Sequence, residues 1–195
     1  MEVGEDCGIV VGHNLSEALE VDREMVNRGK EFTGIGIRGP DGIDVAKWIG
    51  DGTRFSEKRL YEILHGGRIE TGMCVGHVRY STSGEKNVKG AHPHYINPVS
   101  VADYGTHIIA RQAQAAIVHN GNVPDIDDVL SSLGIEKYKE LDTDTEKILA
   151  IYMNFGERGV MENVLGSYSI ALLDSNREEA IIMRDRFGIR PLWIG

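Results

Sequence analysis

Only two cysteines, Cys7 and Cys74, occur in the 195 residues. That is too few for a disulfide framework or for a four-thiolate zinc or iron–sulfur site, and it fits a reducing, cytoplasmic setting. Basic charge is also scarce: 21 Lys and Arg against 30 Asp and Glu leave a net charge of -9. The broad cationic surface that tracks a nucleic-acid backbone is thereby excluded, and no nucleic-acid partner is expected. No apolar run approaches the roughly 18 residues of a membrane span. The N-terminus, Met1-Glu2-Val3-Gly4-Glu5-Asp6, is acidic rather than basic-then-apolar, so neither a membrane anchor nor a secretion signal is expected. Repeats, low-complexity tracts and Pro/Ser-rich linkers are lacking, so one domain is expected. There is no Gly-Lys-Ser/Thr phosphate loop and no strand-GxGxxG-helix order, which disfavours a kinase or a dinucleotide enzyme.

What is present is a globular balance of 41% hydrophobic and 26% charged residues, with glycine in excess at 24 of 195, a mark of tight turns and close backbone approaches. Cys7 to Gly12 reads as a buried strand. Asn14 and Glu17 have capping-box spacing for a helix that Gly29 stops. Phe32–Arg38 and Ile43–Ile49 flank Gly39-Pro40-Asp41-Gly42, a hairpin. Ser56 opens a second helix ending at Gly66-Gly67, and Met73–Tyr80 reads as a strand. Ser81 to Pro98 reads as a long loop over a site. Ala115–His119 is strand-like and leads into Asn120-Gly121, a dipeptide suited to positive φ. Thr143 and Glu146 form another capping box, for a helix running to Gly156, with a short helix over Val160–Leu165 after it. Strands at Ser167–Leu173, Ala180–Met183 and Leu192–Ile194 close the chain. Hairpin connections favour helix with antiparallel sheet over a doubly wound parallel fold.

Four groups of residues can carry chemistry. Cys7 would become N-terminal if Met1 to Asp6 were removed; its α-amine, titrating near pH 8, could then take the proton of its own thiol. Gly76-His77-Val78-Arg79-Tyr80-Ser81-Thr82 ends a strand in a cluster of donors suited to a carboxylate. His119-Asn120-Gly121-Asn122 offers a side-chain amide beside a glycine N–H, the parts of an oxyanion hole. Asp142-Thr143-Asp144-Thr145-Glu146 sets carboxylates at a helix start, where the macrodipole favours them and where one could hold an ammonium. His92-Pro93-His94, with His77 and His119, lacks the carboxylate spacing or paired thiolate of a metal site, so no metal is expected.

Together with Arg28-Gly29, Gly166-Ser167-Tyr168-Ser169 and Arg184-Asp185-Arg186-Phe187-Gly188-Ile189-Arg190-Pro191-Leu192, these segments resemble the class II glutamine amidotransferases, N-terminal-nucleophile hydrolases that use a terminal Cys. The resemblance runs from Cys7 to the end of the chain. It implies an α+β fold, a four-layer αββα sandwich with antiparallel sheets. It implies that Cys7 attacks the side-chain amide of L-glutamine through a thioester, with Asn120 and the Gly121 N–H as oxyanion hole. Arg79 and Thr82 would bind the α-carboxylate, and Asp144 the α-ammonium. Arg79-Tyr80-Ser81-Thr82 and Phe187 to Leu192 look most like the phosphoribosylpyrophosphate amidotransferase branch, which opens purine synthesis, rather than the glucosamine-6-phosphate synthase branch with its usual Arg-Trp-Ala-Thr. On this basis residues 1–6 are a candidate propeptide. Residues 7–195 are a glutaminase domain lacking its C-terminal end and its phosphoribosyltransferase domain. No cofactor is expected in this chain, Mg belonging only with the phosphoribosyltransferase domain. The expected partner is an ammonia-accepting synthase domain or subunit, and homo-oligomers are compatible with the resemblance. The alternatives are a catalytically silent glutamine-binding regulatory module, or a glutaminase subunit feeding another acceptor such as a split glutamate synthase.

Overall fold

The computed structural model describes residues 7–25, 29–65, 72–79 and 87–192. Among these residues, Gly8–Gly12 forms β1 and Leu15–Glu24 forms α1. The hairpin Phe32–Gly39 (β2) and Gly42–Ile49 (β3) follows, then Glu57–His65 (α2) and Cys74–Arg79 (β4). His94–Ile96, Ser100–Asp103, His107–Ala113 and Ala115–Asn122 are β5 to β8. Ile126–Ser132 (α3), Asp144–Asn163 (α4), Ser167–Asp174 (β9) and Ile181–Arg184 (β10) complete the order.

Two sheets result, of order β1-β4-β2-β3-β7-β6 and β10-β9-β8-β5, with antiparallel pairing throughout. Strand alternation then assigns the layers. Ala116 and Val118 of β8 and Ala171 and Leu173 of β9 pack on Ile43, Val45, Val75 and Ala110 of the larger sheet, forming the inter-sheet core. Their neighbours Ile117, Ile170 and Leu172 turn the other way and meet Ile126, Leu130, Ile148 and Ile151 of α3 and α4. On the far side, Ile35, Ile37 and Trp48 meet Leu15, Leu19, Leu60 and Leu64 of α1 and α2. The chain is the four-layer αββα sandwich expected.

Local chemistry sets the helix starts. Asn14 accepts the Glu17 N–H at 2.9 Å. Glu17 returns its carboxylate to the His13 N–H rather than to Asn14, so the reciprocal bond is shifted by one residue. α1 ends at Glu24, short of Gly29. Thr143 and Glu146 make the full capping box, and Gly156, at φ 68°, joins the two expected C-terminal helices into one kinked α4.

Three expectations need correction. The Ser81–Pro98 segment is not all loop: Val88–Gly90 makes a 3-10 turn and His94–Ile96 pairs with Ile117–Ala115, a strand too short to display a period. Asn120-Gly121 is no positive-φ turn but lies in the β8–β9 ladder opposite Ser169 and Tyr168. Glycine is required there for space, because a Cβ at 121 would meet the Ser167 carbonyl oxygen at 2.0 Å and His119 Nε2 at 2.7 Å. Leu192 is not in a strand, and residues 193–195 lie outside the described residues.

Candidate functional site

At one end of the sandwich, a cavity of about 450 Å³ is lined by Cys7, Arg79, Asn120, Gly121, Asp144 and Arg190, with His77, His92, His119, Asn122, Thr143 and Thr145 around them. These residues come from the entry to β1, the end of β4, the approach to β5, the end of β8, the first turn of α4 and the C-terminal segment. Asp185 brings Arg190 there. Its buried carboxylate accepts the N–H groups of Phe187 and Ile189 at 3.0 Å on one oxygen, and those of Arg190 and Tyr168 at 3.2 and 3.3 Å on the other.

Cys7 and Asn120 are in direct contact, the Asn120 amide donating to the Cys7 carbonyl at 3.0 Å. The ladder also fixes where Gly121 points. Tyr168, its partner, spends both backbone groups on Asp185, away from β8. Residues opposite one another in an antiparallel ladder either face each other or both face away, so the Gly121 N–H is directed away from β9. It shares that edge with His119, whose N–H donates to His92 Nδ1 at 3.1 Å. Asn120 and Gly121 thus present an amide and an N–H at one strand end, beside the sulfur-bearing residue. Asp144 is held from two sides, accepting the Val123 N–H at 3.1 Å on Oδ2 and the Thr145 hydroxyl at 3.3 Å on Oδ1.

Behind this surface lies a cluster of four buried histidines. The His77 and His92 rings are 4.3 Å apart, and those of His92 and His94 4.8 Å. Burial, reinforced by the nearby Arg79 charge, pushes His77 down to about 3. Burial pushes His119 to about 4 although Asp144 pulls the other way. Burial and the neighbouring imidazoles push His92 well below its ordinary range, and burial lowers His94 despite its contact with Glu146. All four are therefore neutral near pH 7, as desolvation without a dominant anion requires. Among the described residues no group of three or more His, Cys, Asp or Glu is arranged to hold a metal ion.

Arg79 also lines a second cavity, of about 640 Å³, shared with Thr143 and bordered by Lys47, Lys89 and Glu146. The turn between the cavities is held by two cations. Lys47 Nζ donates to the Lys89 and Ala91 carbonyls at 2.9 and 2.7 Å, and Arg79 donates to the Gly90 carbonyl at 2.7 Å. Gly29 allows the chain before β2 to lie against this arginine, since a Cβ there would meet the Arg79 nitrogen at 2.3 Å.

Of the residues singled out in the sequence, Cys7, Arg79, Asn120, Gly121 and Asp144 meet in one cavity. Thr82, Arg28 and the segment 1–6 lie outside the described residues. His92, Thr145 and Arg190 are site-lining residues that the sequence reading leaves out of the site. His92 and Thr145 were visible as a His-Pro-His triplet and as part of the carboxylate cluster at a helix start, but neither pattern reveals that they meet.

The family model described as glutamine amidotransferase domain matches residues 65–195. Amidophosphoribosyltransferase 3, chloroplastic, of Arabidopsis thaliana is 25% identical over 216 residues, covering 98% of this chain and 35% of its own length. The isomerizing glutamine–fructose-6-phosphate aminotransferase of Thermus thermophilus is 26% identical over 204 residues, covering 97% of this chain and 30% of its own. Among solved structures, the allosteric regulatory enzyme of purine biosynthesis superposes with a TM-score of 0.65 at 22% identity, over 95% of this chain and 38% of that one. The glutamine phosphoribosylpyrophosphate amidotransferase of B. subtilis complexed with ADP and GMP gives 0.60 at 20% identity, with the same coverage. The chain spans about a third of the length of these curated relatives.

Proposed function

The chain belongs to the class II glutamine amidotransferase family, of N-terminal-nucleophile type, and from that premise we propose that it hydrolyses the side-chain amide of L-glutamine and delivers the ammonia to a synthase domain or subunit. The observation that carries this reading is the meeting of Cys7, Asn120, Gly121, Arg79 and Asp144 in one cavity.

The chemistry begins with removal of Met1 to Asp6, because in the chain as written the Cys7 nitrogen is an amide and cannot act as a base. The exposed amine takes the thiol proton, and the sulfur forms a bond to the amide carbon of glutamine. Negative charge on the former carbonyl oxygen is received by the Asn120 amide, which leaves the Cys7 carbonyl, and by the outward-facing Gly121 N–H. The C–N bond breaks as the amine returns its proton to the departing nitrogen, giving ammonia and a glutamyl thioester. Water, deprotonated by the same amine, cleaves the thioester to glutamate and restores the thiol. Arg79 takes the α-carboxylate and Thr82 assists it, while Asp144 takes the α-ammonium.

For the acceptor we place phosphoribosylamine formation first, on Arg79-Tyr80-Ser81-Thr82 and Phe187-Gly188-Ile189-Arg190-Pro191-Leu192. Amination of fructose 6-phosphate is the second reading, favoured by relatives of that activity at the same level of identity. The test has two stages. The chain starting at Cys7 is assayed for glutamate and ammonia from L-glutamine, and the Cys7→Ala variant must lose this activity. The chain is then combined with its cognate synthase polypeptide and offered phosphoribosylpyrophosphate or fructose 6-phosphate. Glutamine-dependent pyrophosphate release supports the first reading, and amino sugar formation replaces it with the second.

A further inference from the structure

Asp144 and the Asn120-Gly121 strand end are joined by a run of hydrogen bonds through Thr145, His92 and His119. His92 Nδ1 accepts the His119 backbone N–H at 3.1 Å. A neutral imidazole whose Nδ1 accepts carries its proton on Nε2, and His92 Nε2 faces the Thr145 hydroxyl at 3.5 Å, so His92 donates there. The single proton of Thr145 goes to the carboxylate, Asp144 Oδ1, at 3.3 Å. His119 Nδ1 lies 2.9 Å from the same hydroxyl oxygen. With that proton on Asp144, His119 Nδ1 is the donor, and the opposite tautomer would bury an Nε2–H with no acceptor among the described residues. A threonine hydroxyl has one donor and two acceptor sites, and all three are now used. His119 Nε2 is left as a bare lone pair, buried without a hydrogen-bond partner among the described residues, 2.7 Å from where a Cβ on residue 121 would stand.

We infer that the Thr145 hydroxyl is a positioning residue: it collects an N–H from each of two histidines and directs its own proton to Asp144, fixing the Asp144 carboxylate relative to the strand end that carries Asn120 and Gly121. The inference rests on the proposed function for what Asp144 then binds, the α-ammonium of glutamine. The four side chains, Thr145, His92, His119 and Asp144, are buried or half-buried, so water does not substitute readily for a missing partner. The arrangement stabilises one carboxylate rotamer while the substrate is absent, which lowers the ordering cost on binding.

The consequence is selective. Removing the hydroxyl loosens the group that reads the α-ammonium and leaves Cys7 and Asn120 in place. In Thr145→Val, KM for L-glutamine rises about 10-fold or more, the worth of one charge-assisted hydrogen bond. The KM for 4-carbamoylbutanoate, which is glutamine without its α-amine, changes by less than about 2-fold. Thr145→Ser restores the parent preference. In the parent protein with ¹⁵N-labelled histidine, imidazole shifts at pH 7 should show His119 protonated on Nδ1 and His92 on Nε2, a readout independent of turnover. His119 protonated on Nε2 instead overturns the node, as does an equal loss on both substrates in an active enzyme. A parent that shows these tautomers but releases no ammonia from glutamine removes the proposed function and leaves the hydrogen-bond assignment standing.

Discussion

At the scale of single residues, few side chains are assigned to the proposed substrate, and each should fail differently when replaced. Asn120 contacts the Cys7 carbonyl through its amide and is assigned to the developing oxyanion. Asn120→Ala should lower kcat about 10²- to 10³-fold with KM for glutamine nearly unchanged, measured by steady-state ammonia release. Arg79 is assigned to the ground-state carboxylate, so Arg79→Lys should act mainly on KM. Losing the fork geometry raises it about 10- to 100-fold, and a kcat effect larger than the KM effect would contradict that role. Much of this site was legible in the sequence: Cys7, Arg79, Asn120 and Gly121 each offer a chemical reason to be singled out, the family resemblance selects Asp144 from its carboxylate cluster, and the five line one cavity. Thr145 and His92 were not legible as partners. Their meeting depends on the first turn of α4 arriving beside the approach to β5, which is a property of the packing. Asn120-Gly121 departs from its expected positive φ for a related reason: the demand for glycine there comes from the Ser167 carbonyl and the His119 ring, which only the packing brings close.

Among the elements, local signals were readable wherever the bond partners are near in sequence. The β2–β3 hairpin and the Thr143 capping box are of that kind. β6 escaped because it is an edge strand, with Ser100, Val101 and Asp103 all exposed, so no alternation marks an inner face. α3, seven residues long with no side-chain cap hydrogen bond, carries little local signature either. α1 holds the feature most at odds with its surroundings. Asp22 is buried on its apolar face, and neither carboxylate oxygen has a hydrogen-bond partner among the described residues. Burial raises its pKa from 3.8 to about 8, so the folded chain keeps a proton that the unfolded chain loses near pH 4. Unfolding therefore releases that proton between about pH 4 and 8, and the contribution to stability falls as pH rises through that window. Asp22→Leu should flatten this slope and stabilise the protein by about 1–3 kcal/mol at pH 8, read by denaturant melts at pH 5 and 8. An unchanged slope would show that Asp22 is already ionised in the native state.

For the whole molecule, the αββα sandwich matters because it sets strand ends from both sheets and a helix start around one cavity. The layers themselves follow from strand alternation: in β8 and β9, successive residues go to the inter-sheet core and to the helix layer in turn. No helix among the described residues is long and apolar enough to cross a membrane. The central claim is that this cavity becomes a catalyst only when Cys7 is the first residue. The most direct measurement is ammonia release from L-glutamine by two preparations of the chain, one beginning at Met1 and one at Cys7, each verified by intact mass. The account predicts turnover by the Cys7 form and at least a 10²-fold lower rate for the Met1 form that has kept all six residues. Equal rates from a chain verified to keep Met1 to Asp6 would show that the Cys7 amine is not the base, and would contradict this mechanism.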